Sequence, residues 1–182
     1  MTETSRVYAL PPVADANSWI LFLGSMPGAA SLAASRYYGH ARNHFWPILY
    51  RLHGAGAPDE SYEDRLRFAL AHGCALWDTI ASCEREGSLD VDIREAEPTD
   101  IPGLLRAYPN IEVLACNGGK SYDTLTKHYG GDPEVSRRTV LKLPSTSPIP
   151  TRQHKGLEEK AAAWLRALAP FVKPQPDQEA QS

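Results

Sequence analysis

Residues able to do chemistry gather in four short segments, each placed directly after an apolar stretch. These segments are GSMPG (24–28), Trp77-Asp78, CNGG (116–119) and LPSTSP (143–148). Asp78 supplies a carboxylate acceptor and Asn117 supplies both a donor and an acceptor, while glycine-flanked loops let a ligand approach the backbone closely. If the apolar stretches are parallel strands, the segments meet at one edge of a sheet, where α/β proteins bind ligands. The sequence therefore predicts a ligand site at that edge.

The elements that position these segments are strands alternating with helices. Short apolar runs predict strands, and helical spacing of apolar residues predicts helices. The predicted strands are 18–24, 74–78, 111–118 and 139–143, and the predicted helices are 43–52, 61–72, 101–108, 120–129 and 153–168. The acidic stretch 79–100 is typical of surface helix and loop. The alternation predicts an α/β fold, a three-layer α/β/α arrangement with a mostly parallel four-stranded central sheet.

The length of 182 residues suits one domain with a sizeable core. We expect an irregular N-terminal lead-in over residues 1–17, a single domain over 18–170 and a disordered tail over 171–182. The apolar runs are too short to cross a membrane, and the N-terminus lacks the basic start and apolar stretch of a secretory signal. We therefore expect a cytoplasmic protein with no membrane partner, acting as a monomer.

The spacing of cysteine and histidine argues against a metal centre. Cys74, Cys83 and Cys116 form no CxxC pair, which disfavours a zinc ribbon or an iron–sulfur site and predicts free, buried thiols. His40 and His44 have the i, i+4 spacing of a metal pair, but the carboxylate of an HExxH motif is absent. We expect no metal and no cofactor.

Positive charge is concentrated in two acid-free segments, although the formal net charge of the chain is −3. Residues 24–58 carry +3 and residues 135–157 carry +5, whereas the stretch between them carries −9. A net-acidic protein can still bind a polyanion if its cations share one face. The alternative is that each segment is only a solvated surface.

Two of these motifs together resemble the uracil-DNA glycosylase superfamily. GSMPGAASLAASRYYGHARNHFW (24–46) is similar to the first motif and the Asn-x-Phe-Trp segment of that superfamily, and LPSTSP (143–148) is similar to its second motif. LWDTIASCEREGSLDVDI and LACNGGKSY resemble the hypoxanthine-DNA glycosylase branch. The resemblance implies a monofunctional enzyme that flips a deaminated base, chiefly hypoxanthine, out of DNA and hydrolyses its glycosidic bond with water.

The same resemblance assigns the catalytic residues. Most relatives carry Asp or Asn at the third position of the first motif and His at the start of the second, where this chain has Met26 and Leu143. In the hypoxanthine branch the Asn of the NxFW segment takes over catalysis, which implies Asn43 here, and the branch also implies a role for Asn117. Asn43 is alternatively a helix N-cap, and Asn117 alternatively caps the helix after it; for Asn43 the two roles are compatible.

The base itself would be held by Gly24, Ser25, Met26, Phe45 and Asp78. Backbone groups of the glycine-flanked loop read its edge, and Phe45 offers a ring for stacking. Asp78 accepts a hydrogen bond from the ring N–H of hypoxanthine but faces a lone pair in adenine, so it would discriminate against the normal base. The alternatives are a core aromatic at Phe45 and a helix cap at Asp78.

The DNA duplex would be met by the second motif and the residues after it. We expect Ser145 and Ser147 to contact phosphates and Ile149 to act as a wedge that replaces the flipped base. The full predicted DNA-binding set is Pro144, Ser145, Thr146, Ser147, Ile149, Arg152 and Lys155. Arg137 and Arg138 are expected to add phosphate attraction. The alternative is an ordinary surface turn.

Two other functions stay open on the sequence alone. Uracil or xanthine could replace hypoxanthine as the main target of the same reaction. Alternatively, the chain is a catalytically silent α/β module that binds nucleic acid or nucleotides. This alternative stays open because Met26 and Leu143 stand where relatives carry catalytic residues. No lysine is predicted inside the four converging segments, so a Schiff-base lyase step is not expected.

Overall fold

The computed structural model describes residues 5–173 of the chain. Its strands are β1 (Arg6–Tyr8), β2 (Ile20–Gly24), β3 (Cys74–Asp78), β4 (Ile80–Glu84), β5 (Arg94–Pro98), β6 (Val113–Asn117) and β7 (Thr139–Leu143). Its helices are α1 (Ala29–Ala34), α2 (Phe45–Leu52), α3 (Tyr62–Ala71), α4 (Ile101–Ala107), α5 (Gly119–Tyr129), α6 (Pro133–Ser136) and α7 (Leu157–Leu168). Short 3₁₀ turns cover Asp90–Asp92 and Ala169–Phe171.

The central sheet has four parallel strands in the order β3-β2-β6-β7. Residues of β2 alternate between two cores, because successive side chains of a strand point to opposite faces. Ile20 and Phe22 pack with α2, α3 and α7 on one face, and Leu21 and Leu23 pack with α4, α5 and α6 on the other. The predicted three-layer α/β/α fold with a parallel four-stranded sheet is confirmed.

A second, antiparallel sheet of three strands, β1-β4-β5, lies in the region predicted as surface helix and loop. β4 pairs with β5 and with β1. The strand β1 forms within the segment expected to be an irregular lead-in, because its backbone finds partners in β4, about 75 residues later in the chain. The sequence gives little sign of this sheet, since β5 is the charged stretch REAEP.

The C-terminal end of the described chain packs back onto the domain. Trp19 Nε1 donates to the carbonyl of Phe171 at 3.1 Å, and Lys173 Nζ lies 3.4 Å from the centre of the Trp19 ring. The expected disordered tail otherwise falls on 174–182, outside the described residues. In the described chain, no helix combines the length and apolar character needed to cross a membrane, and the cytoplasmic location stays a prediction.

Candidate active site

The four segments singled out in the sequence meet at the carboxyl edge of the central sheet. Gly24 at the end of β2 pairs with Asp78 at the end of β3. Asn117 at the end of β6 pairs with Leu143 at the end of β7, and β2 and β6 are themselves neighbours. The candidate site is therefore built from loops that all leave the sheet at the same edge, as the alternation of elements predicts.

Asp78 is buried against the glycine at the end of the neighbouring strand. The residue is 4% exposed, and a Cβ on Gly24 would lie 2.3 Å from its Oδ1, so only glycine leaves room for the carboxyl group. No described residue hydrogen-bonds to its Oδ2. Burial raises the pKa of Asp78 to about 7, the charge of Asp90 adds to the rise, and Arg85 opposes it. The site thus contains a buried carboxyl group with one unpartnered oxygen, and burial raises its pKa towards neutral.

The segment after β4 is hydrogen-bonded to the GSMPG loop. Ser25 Oγ donates to Asp90 Oδ1 at 2.6 Å, and Arg85 donates to the carbonyl of Pro27. Arg85 is 6% exposed, and its Nε and Nη1 have no hydrogen-bond partner among residues 5–173. The side chain of Met26 is buried in a small apolar cluster with Ile80, Cys83 and Ile93. Because this side chain is buried, Met26 can contact a ligand only through its backbone groups, the ones that are predicted from the sequence to read the base.

Phe45 is not available as a stacking surface, which corrects the sequence prediction. It is fully buried, and the ring of Tyr38 stacks on it with centroids 3.8 Å apart and planes 21° apart. Phe22 and Trp164 pack edge-on against the Phe45 ring. Phe45 is therefore a core aromatic, and the ring that lies between it and the loops is the partly exposed Tyr38.

Tyr38 reaches the same corner of the site as Asp78. Its hydroxyl is buried, lies 3.6 Å from where a Cβ on Gly24 would be, and has no hydrogen bond to any described group. Burial and the Asp78 charge raise the pKa of Tyr38, and Asn117 lies near enough to act in the opposite direction. Its backbone adopts φ = 53°, a left-handed conformation uncommon for an aromatic residue. We call Gly24, Tyr38, Asp78 and Arg85 the Asp78 region.

The amide nitrogen and the amide oxygen of Asn117 are both hydrogen-bonded to one residue of the second motif, Thr146. Its Nδ2 donates to Thr146 Oγ1 at 2.9 Å, and its Oδ1 accepts from the Thr146 backbone N–H at 2.9 Å. The Thr146 carbonyl in turn accepts from the backbone N–H of His44 at 2.9 Å. We call His44, Asn117 and Thr146 the Thr146 cluster. Because both bonds go to Thr146, Asn117 links the end of β6 to the second motif, which favours a positioning task for Asn117.

Thr146 itself is 1% exposed, so its side chain faces the protein and not DNA. This corrects its place in the predicted DNA-binding set. Ser145 and Ser147 are half-buried, while Ile149 is 55% exposed. Leu143, at the position where relatives carry histidine, is buried in the main core. Ser145, Ser147 and Ile149 are therefore at least partly accessible, and their contacts with DNA stay a prediction.

Asn43 lies just before the N-terminus of α2 and is adjacent in sequence to His44 of the Thr146 cluster. Its Oδ1 accepts from the backbone N–H of Phe45 at 2.9 Å, which caps the first N–H of α2 although the N-cap residue itself is His44 and not Asn43. Its Nδ2 makes no hydrogen bond within residues 5–173. Asn43 is half-buried and borders a cavity of about 370 Å³ that Tyr38 and His40 also line. An amide oxygen has two lone pairs, so the cap leaves Oδ1 able to accept from a water molecule as well.

The predicted cations divide between opposite ends of β7. Arg152 and Lys155 are exposed and follow the second motif, as a DNA contact requires. Arg138 precedes β7 and is 7% exposed, with its guanidinium bonded to the Ile111 carbonyl and to the Glu134 carboxylate. It belongs to the amino edge of the sheet, on the far side from the site, and so does Arg137, which pairs with Glu134. Both were wrongly counted as phosphate contacts.

Sequence reasoning missed two buried cations. Arg85 is an isolated cation in the acidic stretch EREG, and Lys160 falls on the apolar face of α7. A charge at a core position is a usable signal, since buried charges are rare unless they are bonded. Lys160 lies outside the four segments, yet its ammonium donates to the carbonyls of Ser147 and Ile149 at the second motif.

The comparisons with known proteins agree on one family. The family model described as the uracil DNA glycosylase superfamily matches residues 11–168. A protein of Methanosarcina barkeri called hypoxanthine DNA glycosylase is 34% identical over 87% of this chain and 95% of its own length. A protein of Methanosarcina acetivorans with the same name is 33% identical over 86% of this chain and 96% of its own length.

A solved structure agrees with them. The solution NMR structure of a candidate uracil DNA glycosylase from Methanosarcina acetivorans superposes with a TM-score of 0.72 at 31% identity, covering 91% of this chain and 99% of that one. The matched family region runs from before β2 to the end of α7, so it includes all four loops of the site. The chain therefore belongs to the uracil DNA glycosylase superfamily.

Proposed function

We propose that this protein is a monofunctional DNA glycosylase that removes deaminated bases, chiefly hypoxanthine from deoxyinosine-containing DNA. The observation that carries the proposal is the buried carboxyl of Asp78, which lies at the carboxyl edge of the sheet with an unpartnered oxygen. Two relatives of matching length called hypoxanthine DNA glycosylase support the choice of base. The protein is proposed to act as a monomer.

Recognition of the base follows from hydrogen-bond complementarity. Hypoxanthine presents a ring N–H beside a carbonyl, and ionised Asp78 accepts a hydrogen bond from that N–H. Adenine presents a ring lone pair at the same position, which the carboxylate repels, so the normal base is disfavoured. The outer face of the Tyr38 ring takes the stacking task that was predicted for Phe45, and the backbone N–H groups of Ser25 and Met26 read the edge of the base.

Hydrolysis needs an oriented water molecule rather than a strong base. As the bond between C1′ and the base breaks, the electron pair leaves on the base and the sugar becomes a cation. A water oxygen then bonds to C1′, and the proton it loses passes through solvent to the released base anion, so that the base leaves as the neutral molecule. Asn43 accepts from this water through Oδ1, while its capping bond to Phe45 fixes the amide in place. A dissociative reaction tolerates the weak basicity of an amide.

The remaining residues position the substrate. Asn117 holds the second motif through Thr146, so the loop keeps one shape against the head of α2. Pro144, Ser145 and Ser147 face the backbone of the DNA strand, and Ile149 fills the gap left by the base. Arg152 and Lys155 supply attraction to phosphates that does not depend on sequence.

The direct test is incubation of purified protein with duplexes that contain one deoxyinosine, deoxyuridine or deoxyxanthosine, followed by alkaline cleavage at abasic sites. We expect cleavage of the deoxyinosine duplex to be fastest. Faster cleavage at uracil or xanthine would support the same reaction with a different preferred base. Tight DNA binding with no abasic product for any lesion would contradict the proposal and favour a silent binding module.

A further inference from the structure

A lysine from the last helix is buried directly beneath the loop that is proposed to enter DNA. Lys160 of α7 is 1% exposed. Its ammonium donates to the carbonyl of Ser147 at 2.5 Å and to the carbonyl of Ile149 at 3.1 Å. These two carbonyls lie on either side of Pro148, so the contact spans the part of the loop that carries the exposed Ile149 side chain.

The ammonium has no acidic partner among residues 5–173, so loop carbonyls are its bonded neighbours. Burial lowers the pKa of Lys160, as expected for a cation taken out of water. An apolar residue would fill this core position without that penalty. What the lysine adds is a pair of charge-assisted hydrogen bonds, which are stronger and more directional than neutral ones.

The same helix holds the other end of the loop. Trp164, one turn further along α7, donates from Nε1 to the carbonyl of Pro144 at 2.8 Å. Thr146 between these points is fixed by Asn117 and His44. The loop is therefore bonded at its start, middle and end, and Lys160 is the contact closest to Ile149.

We propose that Lys160 is a positioning residue for base flipping, which acts by holding Ile149 where it can replace the extruded base in the duplex. This inference rests on the proposed function. Flipping a base out of a duplex breaks its pairing and stacking, whereas a base in single-stranded DNA has little pairing or stacking to lose. A residue that acts through the wedge therefore matters for duplex substrates and hardly at all for single strands.

The experiment compares Lys160→Met with the wild-type chain in single-turnover excision of hypoxanthine. Two substrates share one sequence: a single strand containing deoxyinosine, and the same strand paired with deoxycytidine opposite the lesion. We expect the variant to lose on the order of tenfold in rate on the duplex, and less than about twofold on the single strand, because two charge-assisted hydrogen bonds to the loop are removed.

Two further variants separate this effect from general damage. Lys127→Met removes the same charge from an exposed position on α5 and should leave both rates unchanged. Ile149→Ala should reproduce the duplex-selective loss, and the double variant Lys160→Met with Ile149→Ala should lose little more than either single variant. Should Lys160→Met not give a cooperative thermal unfolding transition, Lys160→Gln, which keeps one N–H donor, is measured by the same rate ratio.

Equal losses on the two substrates, or an unchanged duplex rate, would overturn the assignment of Lys160. Fully additive losses in the double variant would do the same, because they would show that Lys160 does not act through Ile149. Failure of the proposed function looks different: the wild-type chain would then release no hypoxanthine from either substrate.

Discussion

The two sides of the candidate site differ in how their polar groups are bonded. In the Thr146 cluster, the amide of Asn117 and the backbone of Thr146 are joined by hydrogen bonds of 2.9 Å. In the Asp78 region, by contrast, Tyr38, Asp78 and Arg85 hold every buried side-chain nitrogen or oxygen that lacks a partner among residues 5–173. Both lie at the same edge of one sheet, so burial alone does not explain the difference.

The difference indicates that the Thr146 cluster and the Asp78 region have different functions. Buried polar groups are normally paired, and an unpaired one costs about 1–3 kcal/mol. A protein that satisfies one side completely gains a fixed geometry there, which suits the residues that aim water and shape the DNA-facing loop. Leaving acceptors and donors unpaired on the other side suits the place where a base brings its own donors and acceptors. Four sets of variants test this contrast, beginning with the largest expected effect.

The strongest dependence should be on Asn43, whose amide has both a capping bond and a proposed catalytic task. Asn43→Ala removes both, and we expect the excision rate to fall roughly 100-fold or more because the water loses its orientation. The melting temperature should fall as well, since loss of a cap costs about 1 kcal/mol. Excision rate and thermal unfolding are measured on the same preparation.

Asn43→Ser separates the two tasks, because serine is also a good helix cap. This variant should unfold close to the wild-type temperature and still be nearly inactive. If Ser at this position restores the rate together with the melting temperature, capping explains Asn43 entirely and the catalytic assignment is lost.

Asn117 should show the next largest effect. Asn117→Ala breaks both bonds to Thr146, which should cost about 2 kcal/mol in stability and roughly 10- to 100-fold in excision rate. Asn117→Asp is the matched control, because its carboxylate can accept from both the N–H and the hydroxyl of Thr146. A positioning residue predicts substantial activity in the Asp variant; an inactive Asp variant with wild-type stability would instead support direct catalysis by the amide.

Asp78→Asn should mainly change selectivity, by about tenfold, because a charged acceptor is replaced by a neutral amide that can both accept and donate a hydrogen bond. For the wild type, the hypoxanthine excision rate should rise as pH increases from 6 to 8, since the carboxyl ionises at about 7. The Asn variant should show no such rise. The ratio of hypoxanthine to uracil excision and its pH profile are the measurements, and an unchanged ratio would remove Asp78 from base reading.

Stability gives an independent check on Asp78, with a defined sign. The folded chain holds the proton up to a pH of about 7, whereas the unfolded chain releases it near pH 4. Rising pH therefore favours unfolding across that window, and the loss is complete above pH 7. Asp78→Asn should gain on the order of 3 kcal/mol more at pH 8 than at pH 4, measured by urea unfolding.

The smallest effects should come from the exposed cations. Replacing Arg152 and Lys155 together by Gln should weaken binding to undamaged duplex several-fold and reduce the slope of log affinity against log salt by about 1.8. Arg137→Gln is the control, since Arg137 lies at the opposite edge of the sheet and should leave the slope unchanged. An equal change in the control would show that charge alone, and not its place, controls binding.

The sheet and its edge could be predicted because their signals are local. The strands Cys74–Asp78 and Thr139–Leu143 have the predicted bounds, since each is an apolar run that ends at a polar or proline-containing loop. A parallel arrangement then places every following loop at the same edge. The position of Arg138 was predictable by the same reasoning, because a residue that precedes a parallel strand lies at the amino edge.

The contacts within the site could not be predicted because they join distant parts of the chain. Asn117 and Thr146 are 29 positions apart, and nothing in either sequence segment marks their side chains as partners. Phe45 and Tyr38 are both aromatic, so composition alone does not show which ring covers the other. The three-stranded antiparallel sheet depends on pairing of β1 with β4 in the same way.

The last helix has a consequence for how the enzyme is made. α7 contributes Lys160 and Trp164 to the loop and joins α2 through the ion pair of Arg51 with Glu158. Chains emerge from the ribosome N-terminus first. A nascent polypeptide that has exposed the second motif but not α7 still lacks the hydrogen bonds of Lys160 and Trp164 to that loop, so the loop can reach its final shape only after α7 has been synthesised.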